Sequence, residues 1–189
     1  MYENNTLYVS DLDGTLLNEH SRVSERSSAI LSDLVTRHNV LFSIATARTP
    51  ATAVELMSCV PTPIPPIVMA GAAMWDTERS QYVNSVPIPE NVVQRVCAAY
   101  EAHGVHPFVY RNHGGVLHTY HHPEIHGEEK QFIDDRISTP YKRFIITSEP
   151  YSASTDPTLL IFAMNRFELL EAVQRDIVAA HIPCHSVCY

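Results

Sequence analysis

Apolar and polar positions along this chain fall into two textures. From residue 6 to about residue 70, short unbroken apolar runs alternate with stretches in which apolar residues recur at helical spacing. Residues 6–10 predict a first strand. After the polar turn 18–24, Ala29, Ile30, Leu34 and Val35 recur on one helical face up to Arg37, and Ser24 is a suitable N-cap. Val40-Leu41-Phe42-Ser43-Ile44-Ala45 reads as a second strand buried on both faces. Residues 51–58 predict another helix, and the proline-rich connector 61–66 feeds a third strand at 67–70. This β-α-β-α-β order is the pattern of an α/β fold with a doubly wound parallel sheet.

After Gly71 the texture changes. Residues 72–75 and 81–86 flank a polar turn as a hairpin, and Pro87-Ile88-Pro89 reads as a hinge. Residues 90–103 form an amphipathic helix with Val92, Val93, Val96, Cys97 and Tyr100 on one face. Residues 105–110 and 116–120 bracket Arg111-Asn112-His113-Gly114-Gly115 as a second hairpin. Residues 121–139 are polar and irregular. A strand at 159–164, a helix at 167–180 and a final strand at 184–189 complete the pattern. The division expected is a Rossmann-like part over 1–86 and a separate α+β module over 87–189.

Composition narrows the classes. The chain has 189 residues, 45% hydrophobic and 18% charged, enough for one good core or two small ones. Its formal charge of −8 argues against a nucleic-acid partner, which calls for a basic face. No apolar run is long enough to span a bilayer, so no membrane partner is expected. The first residues show neither the basic nor the apolar region of a signal peptide. Cys59, Cys97, Cys184 and Cys188 form no CxxC pair, which reads as free thiols in a reducing cytoplasm. Oligomeric state is left open.

The candidate chemistry is concentrated at the end of the first strand, in Asp11-Leu12-Asp13-Gly14-Thr15. Residues i and i+2 of an extended chain face the same side. Two carboxylates there converge where open α/β sheets bind ligands, and they resist joint ionisation unless a cation sits between them. Hard divalent ions such as Mg²⁺ take oxygen ligands of this kind and keep water for a phosphate. The reading is metal-assisted phosphoryl transfer, against the plainer one of an acidic turn.

Asp11-Leu12-Asp13-Gly14-Thr15, followed by Leu16-Leu17, resembles the first motif of the haloacid dehalogenase (HAD) superfamily, and the late entry of the α+β module resembles its Cof-like branch with a C2-type cap. The resemblance implies a partial HAD-like core over 1–86 and a cap over 87–189. It implies Asp11 as nucleophile, forming an aspartyl-phosphate, and Asp13 as general acid and base. Mg²⁺ would be held by Asp11 and by the Asp13 backbone carbonyl, with Gly14 and Thr15 in support. Thr46, at the end of the second strand, would bind a phosphoryl oxygen. Arg48 can orient phosphate or a neighbouring carboxylate, or serve as a surface residue at a helix start. Ala70-Gly71-Ala72 resembles an Asn-Gly-Ala segment, with Ala70 in place of the Asn. The substrate implied is a small phosphorylated metabolite, sugar phosphates foremost.

Two further features bear on that expectation. Lys130 and Lys142 are the only lysines, and Asp134-Asp135 is the only adjacent Asp pair; all fall in the cap-like module, where they do not match the family's lysine and second acidic motif. The expectation is therefore little turnover from these 189 residues alone. Three explanations stay open: the N-terminal part of a longer enzyme (favoured), a shortened inactive relative, or a second chain completing the site. A non-catalytic phosphate- or partner-binding module is the alternative function. His113, His118, His121, His122 and His126 form a second cluster, read as a solvated surface ahead of a zinc site, and Arg111, Asn112 and His113 as candidates for specificity.

Overall fold

The computed structural model describes residues 6–188, which divide into two compact units with the boundary between Val86 and Pro87. In the first, strand β1 (Leu7–Ser10) lies parallel to β2 (Leu41–Ile44), with Leu7 opposite Leu41 and Ser10 opposite Ile44. Helix α1 (Glu25–His38) connects them. It starts where the sequence indicates, because Ser24 Oγ accepts from the Ser27 amide at 3.1 Å and satisfies one of the free amides of the first turn. Asn39, in the left-handed region, ends it. Helix α2 (Pro50–Leu56) leads to β3, which is shorter than expected: only Ile67–Val68 is strand, and residues 69–71 turn tightly. A parallel bridge between Ala45 and Ile67 places β3 on the other side of β2 from β1.

Strand β3 then reverses into β4 (Ala73–Asp76) and β5 (Gln81–Ser85), an antiparallel extension anchored by the fully buried Trp75, whose ring meets Tyr82 edge-on at 4.9 Å. The main core of this unit gathers Leu12, Leu17, Phe42, Ile44, Ala53, Met57 and Val60, with Leu31 and Val35 of α1 packed against it. Strand β1 contrasts with this core. Among the described residues only β2 pairs with it, and Leu7, Tyr8 and Val9 are 45%, 54% and 46% exposed.

The second unit is a four-stranded sheet in the order β8-β7-β6-β9, built from β6 (Phe108–His113), β7 (Val116–His121), β8 (Lys142–Ile146) and β9 (Thr158–Phe162). The β6–β7 turn is Gly114-Gly115, both at positive φ, which suits the two-residue turns that match strand twist. Helices α3 (Glu90–Glu101) and α5 (Phe167–Ala179) cover one face through Val92, Val96, Val173 and Ile177. Helix α4 (Gly127–Asp134) sits on the other face, where Phe132 meets Phe108, Phe144 and Phe162.

Three expectations are corrected here. Residues 121–139 contain α4, and residues 142–146 form β8, a strand that the apolar pattern does not predict; α4 lies in the crossover that the parallel β7–β8 pair requires. The final strand expected at 184–189 is absent over its described part, 184–188. That segment runs along α5, where Gln174 Nε2 donates to the Ser186 carbonyl at 3.1 Å and Cys184 packs beside the α3–α5 cluster, so it meets no strand to pair with. Arg111 is fully buried, bonded to Glu90 and to the carbonyls of Tyr151 and Asp156, which makes it an internal brace and removes it from the specificity candidates. No helix among the described residues is long and apolar enough to cross a membrane.

Lys142 is the costly group in this core. It is 5% exposed, its amine donates to Tyr110 Oη at 2.7 Å, and the charge of Arg136 repels it. Burial first, then Arg136, pushes its pKa down to about 7, while the faces of Tyr110, Phe132 and Phe144, 4.5–5.0 Å away, pull towards the charged form. From that value up to the ordinary 10.5, the unfolded chain holds a proton that the folded chain lacks, so stability rises with pH across this window. Below it the buried ammonium carries its full cost. Lys142→Met is expected to stabilise the protein by roughly 2–4 kcal/mol at about pH 6 and by much less at about pH 10, measured by denaturant unfolding at both values.

Candidate active site

The β1–β2 register sets the site. The ladder ends with the Ala45 amide donating to the Ser10 carbonyl at 2.9 Å, and the next amide, Thr46, turns the other way to the Ile67 carbonyl at 3.0 Å. Asp11 and Thr46 therefore follow directly on the carboxyl ends of two adjacent parallel strands. Asp11 is exposed and Thr46 is buried. The strand stops at Ser10, so the two aspartates lie in the turn after it, in a wide loop closed by the Leu17 amide on the Leu12 carbonyl at 2.9 Å. Leu12 points into the core and is fully buried, which fixes the residues on either side of it towards the surface. Gly14, at φ 74°, supplies the left-handed step that the loop needs; Thr15 is exposed.

Arg48 joins this turn to the second strand. Its guanidinium grips Asp13 in a two-pronged pair, Nε to Oδ2 at 2.8 Å and Nη2 to Oδ1 at 2.7 Å. The hydrogen bonds from Arg48 hold the Asp13 carboxyl below its ordinary pKa, with partial burial opposing, and the same contact raises the pKa of Arg48. Of the roles left open for Arg48, orienting a neighbouring carboxylate is the one seen in this state. The Arg48 amide donates to Thr46 Oγ1 at 3.1 Å, which leaves the Thr46 hydroxyl hydrogen free to point elsewhere.

The turn after β3 holds the same loop from the other side. The Met69 amide donates to the Arg48 carbonyl at 2.9 Å and the Ala70 amide to the Thr46 carbonyl at 3.1 Å. Met69 and Ala70 both sit at positive φ, 55° and 54°, which an Asn or Gly adopts at lower cost than they do. No local sequence signal marks these two amides as clamps.

The oxygen donors at the first turn, the exposed Asp11 carboxylate and the backbone carbonyls around Asp13, match the hard-ligand chemistry of Mg²⁺. Asp134 and Asp135 lie instead at the end of α4, and Lys130 lies on the same helix.

The family model for haloacid dehalogenase-like hydrolases matches residues 8–177. The chain belongs to this family. No curated protein matches the sequence closely enough to count as a relative. Among solved structures, this HAD-type chain is similar to a haloacid dehalogenase-like hydrolase from Bacteroides thetaiotaomicron (16% identity, TM-score 0.69, covering 92% of this chain and 63% of that one). It is also similar to a protein from Thermotoga maritima (19%, 0.71, 96% and 64%) and to a sugar phosphatase of HAD subclass IIB (17%, 0.63, 90% and 62%). The chain thus shares the HAD-like α/β fold and spans somewhat less than two thirds of the length of these three structures.

Two measurements check the geometry of this site. In Arg48→Gln the Asp13 carboxyl loses its two-pronged partner, so its titration midpoint, followed by carboxyl-carbon NMR, is expected to rise towards 3.8 from a lower value in the unmutated protein. Ala70→Gly relieves the positive-φ strain and is expected to raise stability by about 1 kcal/mol in denaturant unfolding.

Proposed function

We propose that this chain carries the phosphoryl-accepting half of a Mg²⁺-dependent phosphatase of small phosphorylated metabolites, sugar phosphates foremost, with residues 87–189 as the module that selects the substrate. The observation that best supports this reading is that the exposed Asp11 and the buried Thr46 both lie just past the ends of the paired parallel strands β1 and β2, with the Asp13 carboxylate gripped by Arg48. Asp11 attacks phosphorus in line; an Asp11 oxygen–phosphorus bond forms as the ester oxygen–phosphorus bond breaks. The Thr46 hydroxyl donates to a non-bridging phosphoryl oxygen. The Asp11 carboxylate and the Asp13 backbone carbonyl would hold Mg²⁺, which would offset the repulsion between the attacking carboxylate and the phosphate.

Asp13 gives a proton to the departing oxygen and later takes one from the water that cleaves the aspartyl-phosphate. The Arg48 pair bears on this role, because a carboxyl held below its ordinary pKa is a ready base and a poor acid. An arriving phosphoryl group competes for the guanidinium, and Arg48 turning to it lets Asp13 take up the proton that it must deliver. The same arginine then serves the carboxylate without ligand and the phosphate with it.

A second reading is favoured by one fact: residues 6–86 contain no lysine, and Lys142 is buried among aromatic rings. A module that binds phosphate or a partner without turning it over would keep Thr46 and Arg48 and dispense with the rest.

Hydrolysis of an aryl phosphate by the product of the complete native reading frame separates the two. The phosphatase reading expects Mg²⁺-dependent turnover that falls by at least about a thousandfold in Asp11→Asn. Equal rates in that variant sink it. Phosphate binding with no turnover under any divalent ion supports the binding module.

A further inference from the structure

The histidines of the second unit divide into separate groups, and one of them is organised. His113 and His118 come from β6 and β7, where His113 pairs with Val116 and His118 with Arg111. They are therefore diagonal neighbours on one face of the hairpin, with ring centroids 4.6 Å apart. Asp156, from the loop before β9, reaches the same place, with Oδ2 2.9 Å from His113 Nδ1. We propose that His113, His118 and Asp156 bind a divalent transition-metal ion of the zinc type, which clips the β6–β7 hairpin to the loop that precedes β9.

The loop that brings the carboxylate is fixed in advance. Buried Arg111 donates to the Asp156 carbonyl at 2.6 Å and to the Tyr151 carbonyl at 2.5 Å, and the Asn112 amide donates to the Pro157 carbonyl at 2.9 Å. Ser154 Oγ donates to Asp156 Oδ2 at 2.8 Å, the kind of outer contact that orients a ligating carboxylate. The three ligand atoms lie within 4.8 Å of one another. A tetrahedral ion with bonds of about 2.1 Å needs its ligands about 3.4 Å apart, so closure asks for movements of about 1 Å. The two rings are nearly parallel, at 18°, and a metal sits in the plane of each imidazole that binds it. His113, whose side chain is 62% exposed, is the ring free to turn.

Arg143, opposite His118 on β8, is a cation that opposes the metal, and the Asp156 carboxylate lies on the metal's side of the balance. Two imidazoles and one carboxylate suit Zn²⁺, Co²⁺ or Ni²⁺ and are a poor set for Mg²⁺ or Ca²⁺. A fourth position is left for water. His106, His122 and Glu124 form a second such group, but the His122 ring nitrogen Nδ1 already accepts from the Glu124 amide at 3.1 Å and Glu124 is exposed.

Co²⁺ and Zn²⁺ titrations of the chelator-treated protein, in excess Mg²⁺ to occupy oxygen sites, test this. The expected result is one equivalent bound, with the visible absorption of a low-coordinate Co²⁺ site, and at least about tenfold weaker binding in His118→Ala and in His113→Ala but not in His106→Ala. Zn²⁺ is also expected to raise the melting temperature of the unmutated protein and not that of His118→Ala. In the unmutated protein, Co²⁺ is expected to shift the ring protons of His113 and His118 and to spare those of His106 and His122, a readout that needs no variant to fold. No binding, binding unchanged in both His113→Ala and His118→Ala, or shifts centred on His106 and His122 would overturn the proposal.

Discussion

Everything at the candidate active site depends on the in-register parallel pairing of β1 with β2. Because Ser10 stands opposite Ile44, Asp11 leaves β1 level with Ala45, and Thr46 follows one residue later. A slip of one residue would turn every side chain of β1 to the opposite face of the sheet and separate the carboxylate from the hydroxyl. Leu12 guards against that slip. It is wholly inside the core between two exposed aspartates, so the turn cannot shift without exposing a large apolar side chain, at a cost of roughly 2 kcal/mol.

The loop after β2 is held as tightly as the strand, and by backbone. Thr46 and Arg48 give their carbonyls to the amides of Ala70 and Met69, and Arg48 spends its guanidinium on Asp13. Three consecutive strand ends are thereby tied into one rim. The positive φ of Met69 and Ala70 is the strain that this tie requires.

Where apolar spacing was strong, the elements were legible in the sequence: α1 with its Ser24 cap, buried β2, the apolar face of α3, and α5 all follow from periodicity. The misses have physical causes. Strand β8 opens with Lys142-Arg143, and the burial of Lys142 runs against its charge. Helix α4 is short and capped by His126, an unusual cap, although Glu129 bonding back to the His126 amide is a real start signal. At the site, Asp11 and Asp13 stand out by residue type and spacing, whereas Gly14, Thr15, Thr46 and Arg48 gain meaning through the family resemblance. The partnership of Arg48 with Asp13 across thirty-five residues, the Met69 and Ala70 clamps, and the approach of Asp156 to His113 are products of tertiary structure and leave no mark in local spacing.

The open flank of β1 carries a consequence for chemistry as well as for solubility. Three half-exposed apolar residues and a row of ladder groups without a strand neighbour among the described residues invite another strand. A strand seated there in parallel would run out beside Asp11, on the side away from Thr46. Any strand that pairs there would therefore also stand beside the Asp11 carboxylate, so that covering the open edge and walling the candidate site become a single event.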